Sequence, residues 1–301
     1  MATRTLRLIL NGKKSDQPGI RDAVDAVRRL GHSVDVRVTW EAGDAPRYAA
    51  EALRDDVDVI VAAGGDGTVN EVANGILGVT QSPQTAMAVV PMGSANDFAR
   101  GCTVPVGDIA GALRFAAEGE PVRIDAARIN DRYFLNAVIA GFGAEVTFKT
   151  SDAMKKRMAG AAYALTGVLT ALKRTVYTSH VRTPSGEREG EAVFAALANG
   201  VQAGGFTVAP RARLNDGLLD IMSVPDFPLA QLGRVLQDIQ NLETSEPEII
   251  RYEQIEWLEV EADRDIPASP DGEELHLKQF RLDVMKQCLP FVLPDTAPLI
   301  R

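Results

Sequence analysis

Apolar and polar residues alternate between two periods over the first 130 positions. Leu6 to Leu10 is a compact apolar run closed by Asn11-Gly12-Lys13-Lys14. Ile20, Ala23, Val24, Val27 and Leu30 then recur at helical spacing between Pro18 and Gly31, which predicts an amphipathic helix with a start and a stop. Val34, Val36 and Val38 alternate as a strand does, and Asp44 is placed to cap the next helix, with Pro46 in its first turn. Val57 to Ala62 and Ala86 to Val90 are nearly continuous apolar runs, as expected of strands buried on both faces. The alternation predicts an α/β fold: an open parallel sheet with helices on both sides, joined by right-handed crossovers. Such sheets bind ligands beyond the carboxyl ends of their strands, here the loops at Asn11, Thr39, Gly64 and Pro91.

After about residue 120 the rhythm changes. Val122, Ile124 and Ala126 alternate, Asp131-Arg132 reads as a turn, and Tyr133 to Ala140 reads as a strand. A helical stretch follows near 153–172. Short strand-like pieces then appear at Tyr177 to Arg182, Ala192 to Ala198, Leu218 to Val224, Ile255 to Glu261, Leu275 to Leu277 and Arg281 to Met285. Pro184-Ser185-Gly186 is a turn between two of them, and Phe227 to Leu242 is one more helix. Many short strands with Gly and Pro turns predict an antiparallel, sandwich-like second domain. The expected division is 1–130 and 131–301, with the last residues free to return to the first domain.

Composition narrows the chemistry. The 301 residues carry 32 basic and 41 acidic side chains, a net charge of -9, which disfavours non-specific nucleic-acid binding. Cys102 and Cys288 form neither a disulfide framework nor a metal spacing and suit a reducing compartment. His32, His180 and His276 are scattered without zinc-ligand spacing. The N-terminus lacks a signal-peptide core, and the apolar stretch from Ala159 to Leu172 is too short and interrupted to span a bilayer. These features lead us to expect a cytoplasmic protein. Trp40 and Trp257 suit the core, with ligand contact as the other reading.

The sharpest local signal is Gly64-Gly65-Asp66-Gly67-Thr68-Val69-Asn70-Glu71, directly after a strand and opening a helix. Its glycines allow positive φ and close approach of a ligand to the backbone. Thr68 and Glu71 have capping-box spacing, and a helix N-terminus accepts phosphate. An ordinary strand-to-helix turn would look similar. Neither the P-loop pattern nor G-x-G-x-x-G is present. Asp66 would repel bare phosphate, which favours a divalent cation or a sugar hydroxyl as its partner. A second rim loop, Pro91-Met92-Gly93-Ser94-Ala95-Asn96-Asp97-Phe98, places Ser94 and Asp97 at capping distance. The two loops read as opposite walls of one nucleotide cleft, with Thr39 a further hydroxyl.

Taken with Asn11-Gly12-Lys13, Val38-Thr39-Trp40-Glu41, Asn199 to Gly205, Leu214 to Leu219 and Asp271-Gly272-Glu273, these segments resemble the diacylglycerol-kinase catalytic family, and within it the bacterial YegS-type lipid kinases. The order of the segments along nearly the whole chain is what makes the resemblance specific, since the glycine-Asp-Gly-Thr core is shared with NAD kinases and phosphofructokinase-like folds. Ala63 and Phe206 stand where the family often has glycine. The resemblance implies an ATP-dependent kinase acting on a lipid hydroxyl, possessing an α/β nucleotide domain and a β-rich second domain. It places ATP against Thr39, Gly65 to Glu71 and Ser94. It makes Glu273 the proton acceptor and Arg213, Asp216 and Leu218 a divalent-cation site, the first and last through backbone carbonyls.

In that reading Mg²⁺ joins Asp66 and Asp97, with Asp125 a weaker candidate, and the second-domain site takes Mg²⁺, Ca²⁺ or Mn²⁺. Without the resemblance, Asn215-Asp216-Gly217 and Asp271-Gly272 are simply hairpin turns. The acceptor would be phosphatidylglycerol or diacylglycerol, met transiently at the inner face of the membrane, with Met154-Lys155-Lys156-Arg157-Met158 as one contact segment. The acidic stretch Glu243 to Asp265 reads as a solvated face. A soluble-substrate kinase such as an NAD kinase and a non-catalytic nucleotide- or lipid-responsive protein are the rival readings.

Overall fold

The structure, a computed structural model, describes residues 3–141, 144, 175–272 and 274–300. The helix expected near 153–172, the basic segment Met154 to Met158 and Glu273 lie outside the described residues.

Strands β1 (Thr5–Leu10), β2 (Ser33–Val38), β3 (Val59–Gly64) and β4 (Ala86–Pro91) form a parallel sheet in the order β4-β3-β1-β2. The intervening helices are α1 (Ile20–Arg29), α2 (Asp44–Arg54), α3 (Asp66–Leu77), α4 (Asp97–Gly101) and α5 (Ile109–Glu118). Alternate strand residues face opposite layers. Leu6, Leu8, Leu10, Val59 and Val61 pack with Val24, Val27, Leu113 and Ala116 of α1 and α5. Ile9, Ile60, Ala62 and Met87 pack with Ala49, Val72 and Ile76 of α2 and α3. The near-continuous apolar runs are therefore read correctly as two-faced strands. Helix α5, absent from the periodicity reading, starts where the Asp108 side chain accepts from the Gly111 N–H.

Three expected caps are not formed. Asp44 is the first residue of α2 rather than its cap; its Oδ2 accepts from the Trp40 and Glu41 N–H groups behind it. Thr68 lies inside α3, whose N-cap is Gly65 without a side-chain cap bond, so the Thr68–Glu71 box is not built. Asn96, not Ser94, precedes α4, with φ 53°.

Helices α2 and α3 touch at a glycine. A Cβ on Gly75 would lie 2.5 Å from the Pro46 Cα and 2.9 Å from the Ala49 Cβ. Gly75→Ala should destabilise the protein by about 1–3 kcal/mol through overpacking, read as a lower urea midpoint; an unchanged midpoint would refute this close contact.

The second half contains β5 (Pro121–Ile129), β6 (Arg132–Phe134), β7 (Ala137–Gly141), β8 (Tyr177–Thr183), β9 (Gly186–Ala192), β10 (Phe194–Ala198), β11 (Gln202–Ala203), β12 (Phe206–Thr207), β13 (Leu219–Val224), α6 (Leu232–Asn241), β14 (Arg251–Ile255), β15 (Trp257–Pro270) and β16 (Leu275–Val292). One core, containing Leu197, Ile221, Leu258 and Phe280, fills the space between sandwich layers. Another packs Phe194, Met222 and Phe227 with Val235 of α6. Two pieces expected to be separate, 275–277 and 281–285, belong to the single strand β16. Its pairings carry two irregularities, one in the partner β15 between Glu261 and Ile266 and one in β16 itself between Met285 and Leu289. Conversely, the strand expected from Tyr133 to Ala140 breaks between Phe134 and Ala137. There the Leu135 and Ala137 N–H groups leave the ladder for the Asp271 carboxylate.

Strand β16 links the halves: it pairs with β15 and β5, and its Phe291 is in parallel register with Met87 of β4. The chain end returns to the first layer, where Leu299 is buried beside Phe98 and its carbonyl accepts from the Leu214 N–H at 2.9 Å.

Candidate active site

All four parallel strands end on one rim. On the first, Asn11 donates through Nδ2 to the Thr68 Oγ1 at 2.9 Å, tying the β1 loop to α3. Gly12 donates its N–H to the Thr39 Oγ1 at 3.1 Å. A Cβ on Gly12 would sit 2.0 Å from the Thr39 carbonyl oxygen, so only glycine lets these loops meet.

The Gly64-Gly65-Asp66-Gly67 turn differs from the expected conformation: none of its glycines has positive φ. Gly64 is needed because a Cβ would lie 2.4 Å from the Thr68 Oγ1, and Gly65 because a Cβ would lie 3.1 Å from the Gly93 Cα. Gly67 is different: a Cβ there meets nothing within 4 Å, and the residue is exposed. The first helical bond here runs from the Val69 N–H to the Gly65 carbonyl. The Asp66, Gly67 and Thr68 N–H groups precede it and have no acceptor within the helix. An anion is thus best met at Gly67, in front of the N-terminus of α3.

The remaining residues of the segment have other work. Val69 is in the core. Asn70 is buried and accepts through Oδ1 from the Asn74 Nδ2, and Asn74 in turn holds both the N–H and carbonyl of Tyr133. Glu71 is exposed on the helix surface. On the opposite loop Ser94 is exposed, while the Asn96 side chain closes the turn by bonding both the N–H and carbonyl of Gly93.

Asp66, Asp97 and Asp271 each hold backbone N–H groups around the junction of the halves. Asp66 Oδ1 accepts from the Phe98 N–H at 3.2 Å. Asp97 is buried, and its Oδ1 accepts from the Gly205 N–H at 2.9 Å, a bond from the nucleotide rim into the second half. Burial, then the nearby Asp66 charge, pushes the Asp97 carboxyl up to about 6. Asp271, in the turn after β15, accepts through its two oxygens from the Leu135 and Ala137 N–H groups, each at 3.0 Å. Its carboxyl is enclosed, and burial followed by the same Asp66 charge pushes it up to about 7, against the opposing effect of those bonds. Asp271 and Gly272 have φ 43° and 96°, both in the left-handed region, as an Asp-Gly hairpin turn requires. The sequence reading treated Asp271 as turn chemistry, with Glu273 as the functional residue. The carboxylate coupling to Asp66 is visible only once the halves are folded together.

A second acidic group surrounds Asn215-Asp216-Gly217. Asp125 accepts from the Gly217 N–H at 2.7 Å and the Gln287 N–H at 2.6 Å. Those two bonds fix Asp125 on the second-half loop, so it groups with Asp216 instead of Asp66. Asp216 is exposed and caps the Leu218 N–H at 3.0 Å. Asp220, unremarked in the sequence, accepts from the Tyr252 hydroxyl at 2.5 Å, and burial plus the Asp216 charge raises its carboxyl to about 6. Arg213 is half-buried two residues before Asn215. Among the described residues no three His, Cys, Asp or Glu side chains form a group that could hold a metal ion.

Neither tryptophan belongs to the core clusters of the described residues. Trp257 is half-buried with the Arg281 guanidinium 5.0 Å from its ring centroid. Trp40 is not in the core; it is 94% exposed.

The exposed Gly67 gives a clean substitution. Gly67→Ala should fold as well as the unaltered protein or gain about 0.5–1 kcal/mol, because its φ is not positive and its Cβ meets open space. Triphosphate affinity, measured by calorimetry, should fall by roughly tenfold. Unchanged affinity would remove the phosphates from this turn.

Comparison with known proteins covers both halves. The diacylglycerol kinase catalytic domain matches residues 5–129, and the YegS C-terminal NAD kinase beta sandwich-like domain matches residues 136–293. A protein of Chromohalobacter salexigens named "Probable lipid kinase YegS-like" is 39% identical over 295 residues, covering 97% of this chain and 94% of the relative. Its namesake in Shewanella frigidimarina is 39% identical over 300 residues, covering 98% and 96%. A solved diacylglycerol kinase structure from Bacillus anthracis str. Sterne has a TM-score of 0.76 at 22% identity, covering 99% of each chain. A second structure from that organism reaches 0.84 at 24% identity, covering 99% of this chain and 97% of the other. At those identities the structures speak to the fold alone.

Proposed function

The chain belongs to the YegS-like branch of the diacylglycerol-kinase catalytic family, and from that premise we propose that it transfers the γ-phosphoryl group of ATP to a hydroxyl of a lipid. The observation that carries this reading is the junction itself: Asp97 of the nucleotide rim accepts from the Gly205 N–H of the β-rich half, and Asp66, at the start of α3, accepts from the neighbouring Phe98 N–H. That junction brings a phosphate-accepting helix end and an acceptor-bearing domain to one place. The nucleotide half runs to about residue 130 and the lipid half from 131 to 301, with the last residues returning to pack on the first half.

ATP lies along the rim, with its phosphates at Gly65, Asp66 and Gly67, and Thr39 and Ser94 on either flank. Thr68 supports this arrangement through Asn11, while Val69, Asn70 and Glu71 belong to the helix that aims its N-terminus. Burial chiefly raises Asp97 and Asp271, with the Asp66 charge adding to it; a divalent cation would relieve that added charge, and Asp66 and Asp97 would be the residues to hold Mg²⁺ beside the phosphates. A bound Mg²⁺ offsets charge on the transferring phosphoryl oxygens. Asp216, with the Arg213 and Leu218 carbonyls, is the candidate for a second site taking Mg²⁺, Ca²⁺ or Mn²⁺.

Glu273, two residues beyond Asp271, is assigned the acceptor proton. A carboxylate with an ordinary pKa of about 4.3 is a weak base toward an alcohol, so positioning has to supply most of the rate. The two Asp271 bonds anchor the turn that leads to Glu273. The acceptor is a hydroxylated lipid such as phosphatidylglycerol or diacylglycerol. No helix among the described residues is long and apolar enough to cross a membrane. In this reading the lipid is met by transient association, on the cytoplasmic face of the membrane.

Transfer of labelled phosphate from ATP–Mg²⁺ to a lipid panel in mixed micelles, with NAD as a control acceptor, tests the reading. The expected product is a labelled lipid. Label on NAD would make the chain a soluble-substrate kinase, and ATP binding without transfer to any acceptor would favour a regulatory protein.

A further inference from the structure

Trp40 is the most exposed large apolar side chain among the described residues, at 94%. It sits on fixed backbone. Its N–H donates to the Asp44 Oδ2 at 2.7 Å, and the Glu41 N–H donates to the same oxygen at 3.0 Å. The preceding Thr39 donates its N–H to the Leu10 carbonyl at 2.9 Å and receives the Gly12 N–H on its hydroxyl. An indole presented to water on a loop held by four such bonds forgoes burial that would stabilise the fold, which calls for a ligand.

Register places that ligand. Leu10 of β1 is aligned with Val38 of β2 on one side and Ala63 of β3 on the other. Val38 and Ala63 are therefore two strand spacings, about 10 Å, apart across the rim, and beyond them Thr39, next to Trp40, meets Gly12 while Asn11 reaches Thr68 in the first turn of α3. On the opposite flank the turn is closed: Gly93 packs against Gly65, and Asp97 is bonded to Gly205. A nucleotide anchored by its phosphates at α3 would have the flank over Gly12 open to its base. That glycine offers bare backbone between Asn11 and the partly exposed Val38, and it cannot carry a side chain without striking the Thr39 carbonyl.

We propose that Trp40 is the stacking platform for the nucleobase of the nucleoside triphosphate. This rests on ATP being the phosphoryl donor. Stacking uses the π-face common to all bases and is worth roughly 1–3 kcal/mol per base. Trp40 thus supplies donor affinity more than choice between adenine and guanine.

Calorimetry with ATP and with inorganic tripolyphosphate separates base from phosphate. Trp40→Ala should raise the ATP Kd roughly tenfold and leave tripolyphosphate unchanged, while Trp40→Phe should recover most of the loss. Trp257→Phe leaves Trp40 as the sole remaining tryptophan of the two; ATP should quench its fluorescence and tripolyphosphate should not. Equal ATP affinity in Trp40→Ala and the unaltered protein overturns this inference alone. If that variant instead loses binding to phosphatidylglycerol vesicles, the indole belongs to the membrane surface. Failure of the unaltered protein to bind ATP at all overturns the kinase reading and this inference together.

Discussion

Replacing Glu273 by glutamine is expected to lower lipid phosphorylation by roughly 10²- to 10⁴-fold, the usual contribution of a positioned proton acceptor. Glutamine keeps the shape of the side chain and loses its basicity. Because the phosphates are assigned to the α3 turn, ATP affinity by calorimetry should stay unchanged. The loss should appear in kcat, since the missing interaction is made as the hydroxyl proton leaves. Near-unaltered turnover in the folded Glu273→Gln protein would take the base role away from this residue. A parallel loss of ATP binding would point instead to a disturbed junction.

The second large effect is expected at Asp66. Its charge contributes to raising both the Asp97 carboxyl, to about 6, and the Asp271 carboxyl, to about 7. Asp66→Asn should therefore lower turnover by about 10²-fold or more through loss of a cation partner at the transferring phosphate. It should also move the titrations of Asp97 and Asp271 down, observable by carboxyl carbon NMR.

Stability follows in sign. An acid whose folded pKa exceeds its unfolded value of 3.8 holds its proton in the native state while the unfolded chain has released it. The unfolded state then binds fewer protons, so the stability from these two groups falls as pH rises from about 4 through about 6 and 7. In Asp66→Asn that fall should be shallower in urea unfolding across the same range. Unchanged turnover together with unchanged pH dependence would separate Asp66 from both neighbours and from the reaction.

Much of the rim was legible because it depends on local rules. Runs such as Val59 to Ala63 announce a buried strand, and a glycine-rich turn before Val69, Val72 and Ile76 announces a helix start. Capping was less legible. Asp44 and Thr68 have the right chemistry for caps, but each found a better partner across a loop: the Trp40 and Glu41 N–H groups for Asp44, and Asn11 for Thr68. The glycine turn was located correctly for a partly incorrect reason. Gly64 and Gly65 serve close approach, and positive φ appears instead at Asn96 and Asp271.

The sequence by itself determined the α/β half, its strand order of appearance, the β-rich remainder and the segments that carry the family's motifs, because periodicity, turn residues and motif order are properties of neighbours in the chain. Only the tertiary structure decided which carboxylates act on each other. Asp66 and Asp271 are separated by most of the chain, yet they share one electrostatic field because β16 joins the second half to the edge of the parallel sheet. It likewise drew Asp125 away to Gly217 and Gln287, and left Trp40 in solvent beside the rim. Burial and charge coupling depend on distance in space, and no spacing along the chain encodes that distance.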